Sequence, residues 1–489
     1  MNPLQQHNAS LTRRSFFSKT ALGIGTLALG ALLDPSLLSA STPAATAKEG
    51  TGNDLPHFAP KAKRIIYLFQ NGAPSHVDLF DYKPKLKQWH GQQIPDELIN
   101  GKRFSTMTGK QVNRPVLSEI SNFAQHGKSG AWVSDFMPYT AQIADELCFI
   151  KSMHTEQVNH APAITFFLTG SEMAGRPSIG SWLTYGLGNM SDNLPGFVVM
   201  TSRDKEQSCG QIFYDFYWSS GFLPSKFQGV KFRGGGDPVL YLSDPNGMSR
   251  KMRRDILDGL TQLNEINLQA YGDPEIATRI AQYEMAYQMQ MSVPELTDFS
   301  SEPQYILDMY GPDVLRQGSF AYNCLMARRL IERGTRFVQC MHAGWDQHTN
   351  LTYQLKTQCL DTDQPSAALI KDLKQRGLLE DTLVIWGGEF GRTPFLQGRI
   401  EEYDVWGRDH HPYVFSLWMA GGGVKPGFTY GSSDEFGFNP QDNPVHVHDF
   451  QATLMHLLGI DHEKFVFKHQ GRRYRLTDVH GQVVKDVLS

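Results

Sequence analysis

Short apolar runs alternate with stretches of helical spacing along most of the chain after residue 62. The run at 383–386 has the length of a buried strand and is too short for a buried helix. Similar runs predict strands at 63–69, 147–150, 337–341 and 414–419, and helical spacing predicts helices at 138–146, 320–333, 365–377 and 450–458. Strands that alternate with helices predict an α/β fold, in which helices cover a mostly parallel sheet.

Side chains that can bind a metal follow the predicted strands at 63–69, 337–341 and 383–386, and two more precede the strand at 414–419. They are Asn71, His76, Asp78, Asp346, His348, Glu389 and the adjacent pair His410 and His411. Functional sites of open α/β sheets lie outside the carboxyl ends of the strands, so we expect these side chains to approach one another. Carboxylates and imidazoles suit zinc or manganese better than calcium. The sequence therefore predicts a divalent metal, with zinc first and manganese or calcium as alternatives. A surface turn that carries an unrelated histidine pair is the competing interpretation.

A further helix is predicted to begin at Asn159 and His160, with Pro162 in its first turn, and to end at Thr169 and Gly170. The free N–H groups at such a helix start favour an anion. His160 has three possible roles here: a metal ligand, a nucleophile, or a histidine that serves only the packing of the protein.

Helical spacing without intervening strands marks the middle of the chain. Between 249 and 291 the apolar residues recur at helical intervals, and we expect a helical insertion or lid over about 249–310. The five cysteines are scattered without a CxxC pair, which predicts buried thiols rather than disulfides or a thiolate metal site.

The first residues have the three parts of an export signal. Arg13 and Arg14 precede an apolar stretch at 21–33, which is too short for a convincing membrane span, and small residues follow at 45–47. This pattern resembles a twin-arginine signal, whose export machinery carries folded proteins. We therefore predict a signal peptide at 1–47, a polar linker at 48–62, a folded domain at 63–489, and a periplasmic or secreted location.

Composition is that of an ordinary globular protein, with 40% hydrophobic residues. The 46 Lys and Arg residues are balanced by 50 Asp and Glu residues, for a net charge of −4. No basic stripe stands out, so a nucleic acid is not expected as a partner. The oligomeric state is left open.

Several longer motifs together resemble one family over the whole chain after the signal. They are NGAPSHVDLFD, SMHTEQVNHAPAITFFLTG, GWDQHTN, GGEFGRTP, GRDHHP and HDFQATLMHLLGID. The chain resembles the DUF1501 proteins, and through them the alkaline phosphatase and sulfatase superfamily. That resemblance implies an alkaline-phosphatase-like three-layer sandwich with a mostly parallel sheet, two metal ions and a nucleophile at a helix start.

The resemblance also assigns individual residues. Asp346 and His348 resemble the Asp and His of the first metal site, and His410 or His411 resembles its last His. Glu389 stands where the superfamily has the Asp of an Asp-His-Gly motif, but Phe390 replaces the His. Asn71 falls near the acid of the first strand, and Ser75, His76 or Asp78 is an alternative to it.

The nucleophile position departs from the superfamily. In the frame that runs from His160 to Thr169 and Gly170, no Cys, Ser or Thr stands at the nucleophile position, so formylglycine chemistry is not expected. The resemblance implies a metal-dependent hydrolase of phosphate or sulfate esters, with a small-molecule or saccharide ester as substrate. Arg392 or Arg408 would hold the anionic group. The alternative is a non-catalytic, metal-containing protein that binds anionic glycans.

Overall fold

The strand at Arg64–Asn71 has five consecutive apolar residues at 65–69, and all but its first residue are buried. A strand buried on both faces belongs at the centre of a parallel sheet. In the computed structural model this strand, β1, pairs in parallel with one neighbour on each side.

The structure describes residues 55–203, 205, 213–235, 238–239 and 247–489. The predicted signal peptide at 1–47 and the first part of the predicted linker, 48–54, lie outside these residues. The last part of the linker is described, and it is held to the domain: His57 N donates to Gly459 O at 2.8 Å, and Lys61 N donates to Leu457 O at 2.9 Å.

Twelve helices and seventeen strands are described in this part of the chain. The helices are α1 His76–Leu79, α2 Pro84–Gln88, α3 Asp96–Ile99, α4 Pro138–Gln142, α5 His160–Thr169, α6 Ile179–Leu187, α7 Arg250–Tyr271, α8 Pro274–Thr297, α9 Gln304–Tyr310, α10 Phe320–Glu332, α11 Leu351–Gln375 and α12 Val447–Leu457. The strands after β1 are β2 Phe123–His126, β3 Ala131–Ser134, β4 Leu147–His154, β5 Phe197–Arg203, β6 Val230–Phe232, β7 Phe337–Ala343, β8 Thr382–Gly387, β9 Gly391–Gln397, β10 Gly407–His411, β11 Phe415–Ala420, β12 Phe428–Tyr430, β13 Ser432–Ser433, β14 Pro440–Asp442, β15 Val445–His446, β16 Phe467–His469 and β17 Arg472–Tyr474.

The main sheet has the strand order β12-β4-β11-β8-β1-β7-β5-β6, with β15 added beside β4. Only β11 runs antiparallel to its neighbours β4 and β8 in this sheet. The register pairs Asn71 of β1 with Ala343 of β7, and Phe69 with Gly387 of β8. The loops after these three strands therefore leave the sheet at the same edge.

Two apolar cores lie on opposite faces of the sheet. On one face, Ile66 and Leu68 pack in a cluster with residues of α10 and α11. On the other face, Tyr67 and Phe69 pack in a cluster with residues of α5, α6 and α12. Helices thus cover both faces, and the predicted three-layer α/β sandwich with a mostly parallel sheet is confirmed.

Two helix starts differ from the sequence prediction. The helix expected to begin near Pro365 begins at Leu351 and contains this proline in its interior. Leu351, Leu355 and Cys359 are buried at intervals of four residues, so packing along one face extends the helix past the proline. Helix α12 begins at Val447 instead of residue 450, and Asp449 accepts a hydrogen bond from His446 N at 3.1 Å as part of a capping box.

Helices α7, α8 and α9 occupy the region in which a helical insertion was predicted. The two long ones form a hairpin, in which Arg254 of α7 bonds Glu284 of α8 at 2.9 Å. No described helix combines the length and apolar character that crossing a bilayer requires.

Candidate metal centre

Four side chains converge above the carboxyl edge of the sheet. They are His160, Asp346, His348 and His410, and one ligand atom of each lies within 4.8 Å of the others. His160 is the first residue of α5, Asp346 and His348 lie in the loop after β7, and His410 is in β10. Three separate segments of the chain therefore contribute to one cluster.

A close approach of two loops places Asp346. A Cβ on Gly72 would lie 2.7 Å from Asp346 N, and Gly72 has a φ of +108°. Only glycine accepts both that contact and that backbone conformation. Trp345 anchors the same loop from below, because its Nε1 donates to Gln70 Oε1 at 2.8 Å.

Each histidine of the cluster has its Nδ1 held by an acceptor outside the cluster. Glu389 Oε1 lies 2.5 Å from Nδ1 of His160, and Gln397 Oε1 lies 2.6 Å from Nδ1 of His348. For His410 the acceptor is the carbonyl of Val158, at 2.7 Å. An Nδ1 that donates its proton leaves the Nε2 lone pair free, which is the arrangement of metal-ligating histidines.

The three Nε2 atoms all face Oδ1 of Asp346. The distances from this oxygen are 3.1 Å to His160, 2.8 Å to His348 and 3.2 Å to His410. Burial raises the pKa of Asp346, but Arg392 and the three histidines outweigh this effect and hold the pKa far below its ordinary value. The carboxylate is therefore ionised at any physiological pH.

The pKa values of His410 and His160 are shifted in opposite directions. Burial lowers the pKa of His410 to about 4, and the charges of His160 and Arg392 lower it as well. Burial also lowers the pKa of His160, but hydrogen bonds to Asp346 and Glu389 outweigh it and the net shift is upward. The two carboxylates thus make the position of His160 attractive to a cation.

The donor set fits a divalent metal. The Nε2 atoms of His348 and His410 lie 3.0 Å apart, and Nε2 of His160 lies 3.1 Å from Asp346 Oδ1. Four ligands arranged tetrahedrally around zinc stand about 3.3 Å apart, given bonds of about 2.0–2.1 Å. The observed separations are close to this value. The four side chains remain 9–15% exposed, so solvent reaches the cluster.

Glu389 lies beside the cluster but not in it. Its Oε1 accepts from Gly72 N at 3.0 Å and contacts Nδ1 of His160, the nitrogen that faces away from the other ligands. The prediction that Glu389 shares a metal directly with Asp346 and His348 therefore needs correction. Its geometry is that of the carboxylate that orients a ligating histidine.

His411 and His76 are directed away from the cluster. Successive residues of a strand point to opposite sides, so His410 faces Asp346 while His411 does not. His411 Nε2 lies 2.6 Å from Phe438 O, and His76 Nε2 lies 2.9 Å from Gly437 O. Burial lowers the pKa of His411 to about 3, with a further contribution from His76. Both rings bond backbone carbonyls, which corrects their prediction as ligands.

Asp78 and Asn71 also lie outside the cluster. Asp78 forms a two-pronged ion pair with Arg408, with 2.7 Å from Nε to Oδ2 and 3.0 Å from Nη2 to Oδ1. Neither side chain of this pair is exposed to solvent. The amide of Asn71 is buried and bonds no described residue. Asp78 is thus used for an internal ion pair, and Asn71 lies outside both the ion pair and the cluster.

The two arginines predicted to hold an anionic group are buried, with 1% of the Arg392 side chain and none of the Arg408 side chain exposed. Besides Asp78, Arg408 donates to the carbonyls of Thr393, Leu117 and Ser118. Arg392 donates to Asp346 Oδ1 at 2.6 Å and to the carbonyls of neighbouring loops. Their predicted role in holding an anionic group is therefore corrected. Arg392 positions Asp346, and Arg408 forms a buried ion pair with Asp78.

Sequence reasoning missed the groups that hold the histidine rings. Gln397 stands in β9 without any motif around it, and Val158 acts through its backbone carbonyl, which residue type does not encode. The turn at the end of β1 could be predicted from Gly72, but the acceptor of the Gly72 N–H, Glu389, is distant in sequence. No local signal identifies these partners.

Together, the fold and the cluster define an α/β protein with a candidate metal centre at the carboxyl edge of its sheet. The chain belongs to the family described as "Protein of unknown function (DUF1501)", which matches residues 62–488. This confirms the family that the motifs predicted. No curated protein sequence matches the chain.

Three solved structures illustrate the remote similarity of this chain to known proteins. A phosphonate monoester hydrolase from Silicibacter pomeroyi has 12% identity and a TM-score of 0.35, covering 72% of this chain and 71% of that one. A sulfatase from Pseudoalteromonas sp. has 12% identity and a TM-score of 0.33, covering 86% and 74%. The C-terminal periplasmic domain of EcEptC from Escherichia coli, in complex with Zn, has 8% identity and a TM-score of 0.33, covering 88% and 96%. At TM-scores below 0.5, any assignment of activity rests on the chain's own residues.

Proposed function

We propose that this protein is an exported, metal-dependent hydrolase of phosphate or sulfate esters. The observation that carries the proposal is the convergence of three Nε2 atoms and one carboxylate oxygen, each imidazole held through its other nitrogen. This donor set suits zinc, and manganese is the next candidate.

Each residue of the site has a distinct task in this proposal. His160, His348, His410 and Asp346 hold the metal, and Glu389, Gln397 and the Val158 carbonyl fix the three rings. Arg392 keeps Asp346 ionised and oriented toward the histidines. A divalent metal held by these residues would supply Lewis-acid chemistry, which polarises an ester oxygen and lowers the pKa of a water molecule.

The start of α5 supplies the remaining feature for an anionic ester. The first N–H groups of a helix have no partner within the helix, and with the helix dipole they favour a phosphate or sulfate. His160 and Ala161 stand in that first turn, beside the cluster. Because His160 is assigned to the metal and no Ser, Thr or Cys replaces it as nucleophile, water is the attacking group, without a covalent intermediate.

A metal-containing protein that binds anionic glycans without turnover is the second candidate. It is favoured by one observation: Arg392 and Arg408 are both occupied by protein acceptors, so neither guanidinium holds a substrate anion. Measured turnover distinguishes this candidate from the hydrolase.

The first test is metal content of the purified chain and its variants. We expect a bound transition metal in the wild type, and its loss in His348→Ala and His410→Ala, by roughly 10-fold or more in affinity. His411→Gln is the matched control, because it changes the adjacent histidine and keeps a donor for Phe438 O. Metal retained in His410→Ala but lost in His411→Gln would reverse the assignment of the pair.

The second test is hydrolysis of generic aryl phosphate and aryl sulfate esters. If the protein is a hydrolase, a chelator should abolish turnover and zinc or manganese should restore it. The His160→Ala variant should be inactive. A chain that holds its metal and turns over neither ester class, but retains anionic oligosaccharides, supports the binding protein. A wild type without metal contradicts both candidates.

A further inference from the structure

Helix α7 presents an apolar stripe to solvent. Five large side chains along it are exposed: Met252 by 51%, Ile256 by 45%, Leu260 by 38%, Leu263 by 55% and Ile266 by 63%. No residue of this helix is buried. Monomeric proteins rarely leave so long a contiguous apolar surface uncovered, and such patches mark interaction sites.

The stripe is not the face that α7 turns to α8. That face carries Arg254, which bonds Glu284 and lies 4.8 Å from the ring of Tyr287 in α8. The hairpin is therefore complete without the stripe, and the stripe remains open to a partner.

Spacing along the stripe is that of a coiled-coil seam. The seam consists of four of the five exposed side chains together with Gly259 and Ala270, and Leu260 flanks it. Its members are Met252, Ile256, Gly259, Leu263, Ile266 and Ala270, separated by alternate steps of four and three residues. Such a repeat keeps one line of side chains facing a second helix. The seam runs nearly the full length of Arg250–Tyr271.

Gly259 is a second, independent sign of a partner helix. It stands in the middle of α7, where glycine destabilises a helix relative to alanine. A Cβ at this position would have no described atom within 4 Å, so nothing within the described chain requires glycine. A large side chain of a second molecule, packed against the seam, does require that space.

We propose that two copies of this chain associate through α7, with the two helices antiparallel. This direction places Leu263 opposite Gly259 of the partner subunit, Met252 opposite Ala270 of the partner subunit, and Ile256 opposite Ile266 of the partner subunit. Each small residue then receives a large one. A parallel pair sets glycine against glycine and alanine against alanine, which leaves gaps. The antiparallel pair is also isologous, as a two-fold dimer requires.

Charge complementarity supports the same direction. The start of α7 carries Arg250, Lys251 and Arg253 and no acidic residue in its first turn, contrary to the preference of a helix dipole. In the antiparallel pair these cations lie beside the carbonyl end of the partner helix, which is followed by Asp273 and Glu275 of the partner subunit. The negative end of the partner helix dipole and both carboxylates then attract these three cations.

The area suffices for a specific contact. The five exposed side chains offer on the order of 450 Å² of apolar surface per copy, so a dimer removes on the order of 900 Å² from water before flanking residues are counted; a specific interface needs about 1,000 Å² in total. The flanking residues of a helix of this length bring the total above that limit.

Light scattering of the full chain after gel filtration tests the association. We expect a mass near twice the 55.0 kDa of one chain at high concentration. Leu263→Glu should give a monomer with an unchanged circular dichroism spectrum, because the position is exposed. Leu360→Glu makes the same change on α11, where the side chain is 73% exposed, and should leave the dimer intact. A monomeric wild type, or a dimer that survives Leu263→Glu, overturns the proposal.

Cross-linking with a short bismaleimide tests the direction, in a Cys209→Ser background since Cys148, Cys324, Cys340 and Cys359 are buried. Met252→Cys alone should not cross-link, because its two copies lie about 27 Å apart along the antiparallel pair. A mixture of Met252→Cys and Ala270→Cys chains should cross-link. Self-linking of Met252→Cys contradicts the antiparallel arrangement. A wild type that stays monomeric and binds anionic vesicles through the stripe assigns it to a membrane surface instead.

Discussion

At the scale of single residues, the environment decides what each histidine and carboxylate can do. His410 and His411 are neighbours of identical type, yet one faces Asp346 and the other bonds Phe438 O. The strand alternation of β10 separates them, and no property of the residue type does. The same holds for Glu389 and Asp78, one of which orients a candidate ligand while the other balances a buried arginine.

Replacement of Glu389 tests its positioning role. Glu389→Ala should weaken metal binding by roughly 10–100-fold, because His160 loses the acceptor that fixes its ring. The metal affinity of Glu389→Gln should fall between those of Glu389→Ala and the wild type, since its amide oxygen still accepts a hydrogen bond. The measurement is competition with a chromogenic chelator, and Glu435→Ala, at a side chain 69% exposed, is the control. Equal affinities for all four proteins would falsify the role.

Asp78→Ala tests whether this residue stabilises the fold or binds metal. Removing one partner of a fully buried ion pair costs about 3–5 kcal/mol, since Arg408 keeps an uncompensated charge. We expect that loss in denaturant unfolding, with metal content unchanged under native conditions. Loss of metal without loss of stability would instead restore Asp78 as a ligand.

At the scale of elements, a cluster of charges joins the helical region to the sandwich. Glu302, just before α9, accepts from Arg328 at 2.5 Å and from Arg329, both on α10. These three side chains are almost fully buried. Burial raises the pKa of Glu302, but the hydrogen bonds and charges of the two arginines outweigh it and lower the pKa below its ordinary value.

The stability of this junction should therefore depend on pH. A lowered carboxyl pKa contributes stability above the ordinary value of about 4.3, and that stability is lost as the pH falls through the folded-state pKa. Glu302→Gln should be destabilised by about 3 kcal/mol near neutral pH, because Arg329 loses its buried counter-charge, while Arg328 keeps its ion pairs with Glu332 and Asp372. The difference from the wild type should shrink in unfolding experiments below about pH 4. A difference that stays constant with pH would show that Glu302 acts by packing alone.

At the scale of the whole molecule, export and folding are linked in the proposed function. The candidate ligands come from loops that only the finished sheet brings together, so the metal site forms after folding. A twin-arginine route, which carries folded proteins, is consistent with that order.

Replacement of both Arg13 and Arg14 by Lys tests the route. We expect the precursor to remain in the cytoplasm, because the paired arginines are the feature that the machinery reads. The measurement is fractionation of cells that express the wild type or the variant, with an exported protein of the general secretory route as control. Undiminished export of the variant removes the twin-arginine prediction and leaves the metal site untouched.

The sequence by itself determined the class of fold and the neighbourhood of the site. Apolar runs of strand length, such as 383–386, separated by helical stretches admit few arrangements other than a parallel sheet between helices. Polar residues that follow such strands must lie at the carboxyl edge, because parallel strands share it. Asp346, His348 and one histidine of the 410–411 pair were placed near one another by this reasoning. The frame from His160 to Gly170 also gave the bounds of α5.

Only the tertiary structure decided which of these side chains meet. Gln397 and the Val158 carbonyl fix two rings of the cluster across 49 and 252 residues of sequence, distances at which local patterns carry no information. Asp78 does not join the cluster because it pairs with Arg408, which lies 330 residues further along the chain. Local sequence sets which groups stand at a strand end. The pairing of buried charges and the direction of each ring depend on partners that the fold alone brings within bonding distance.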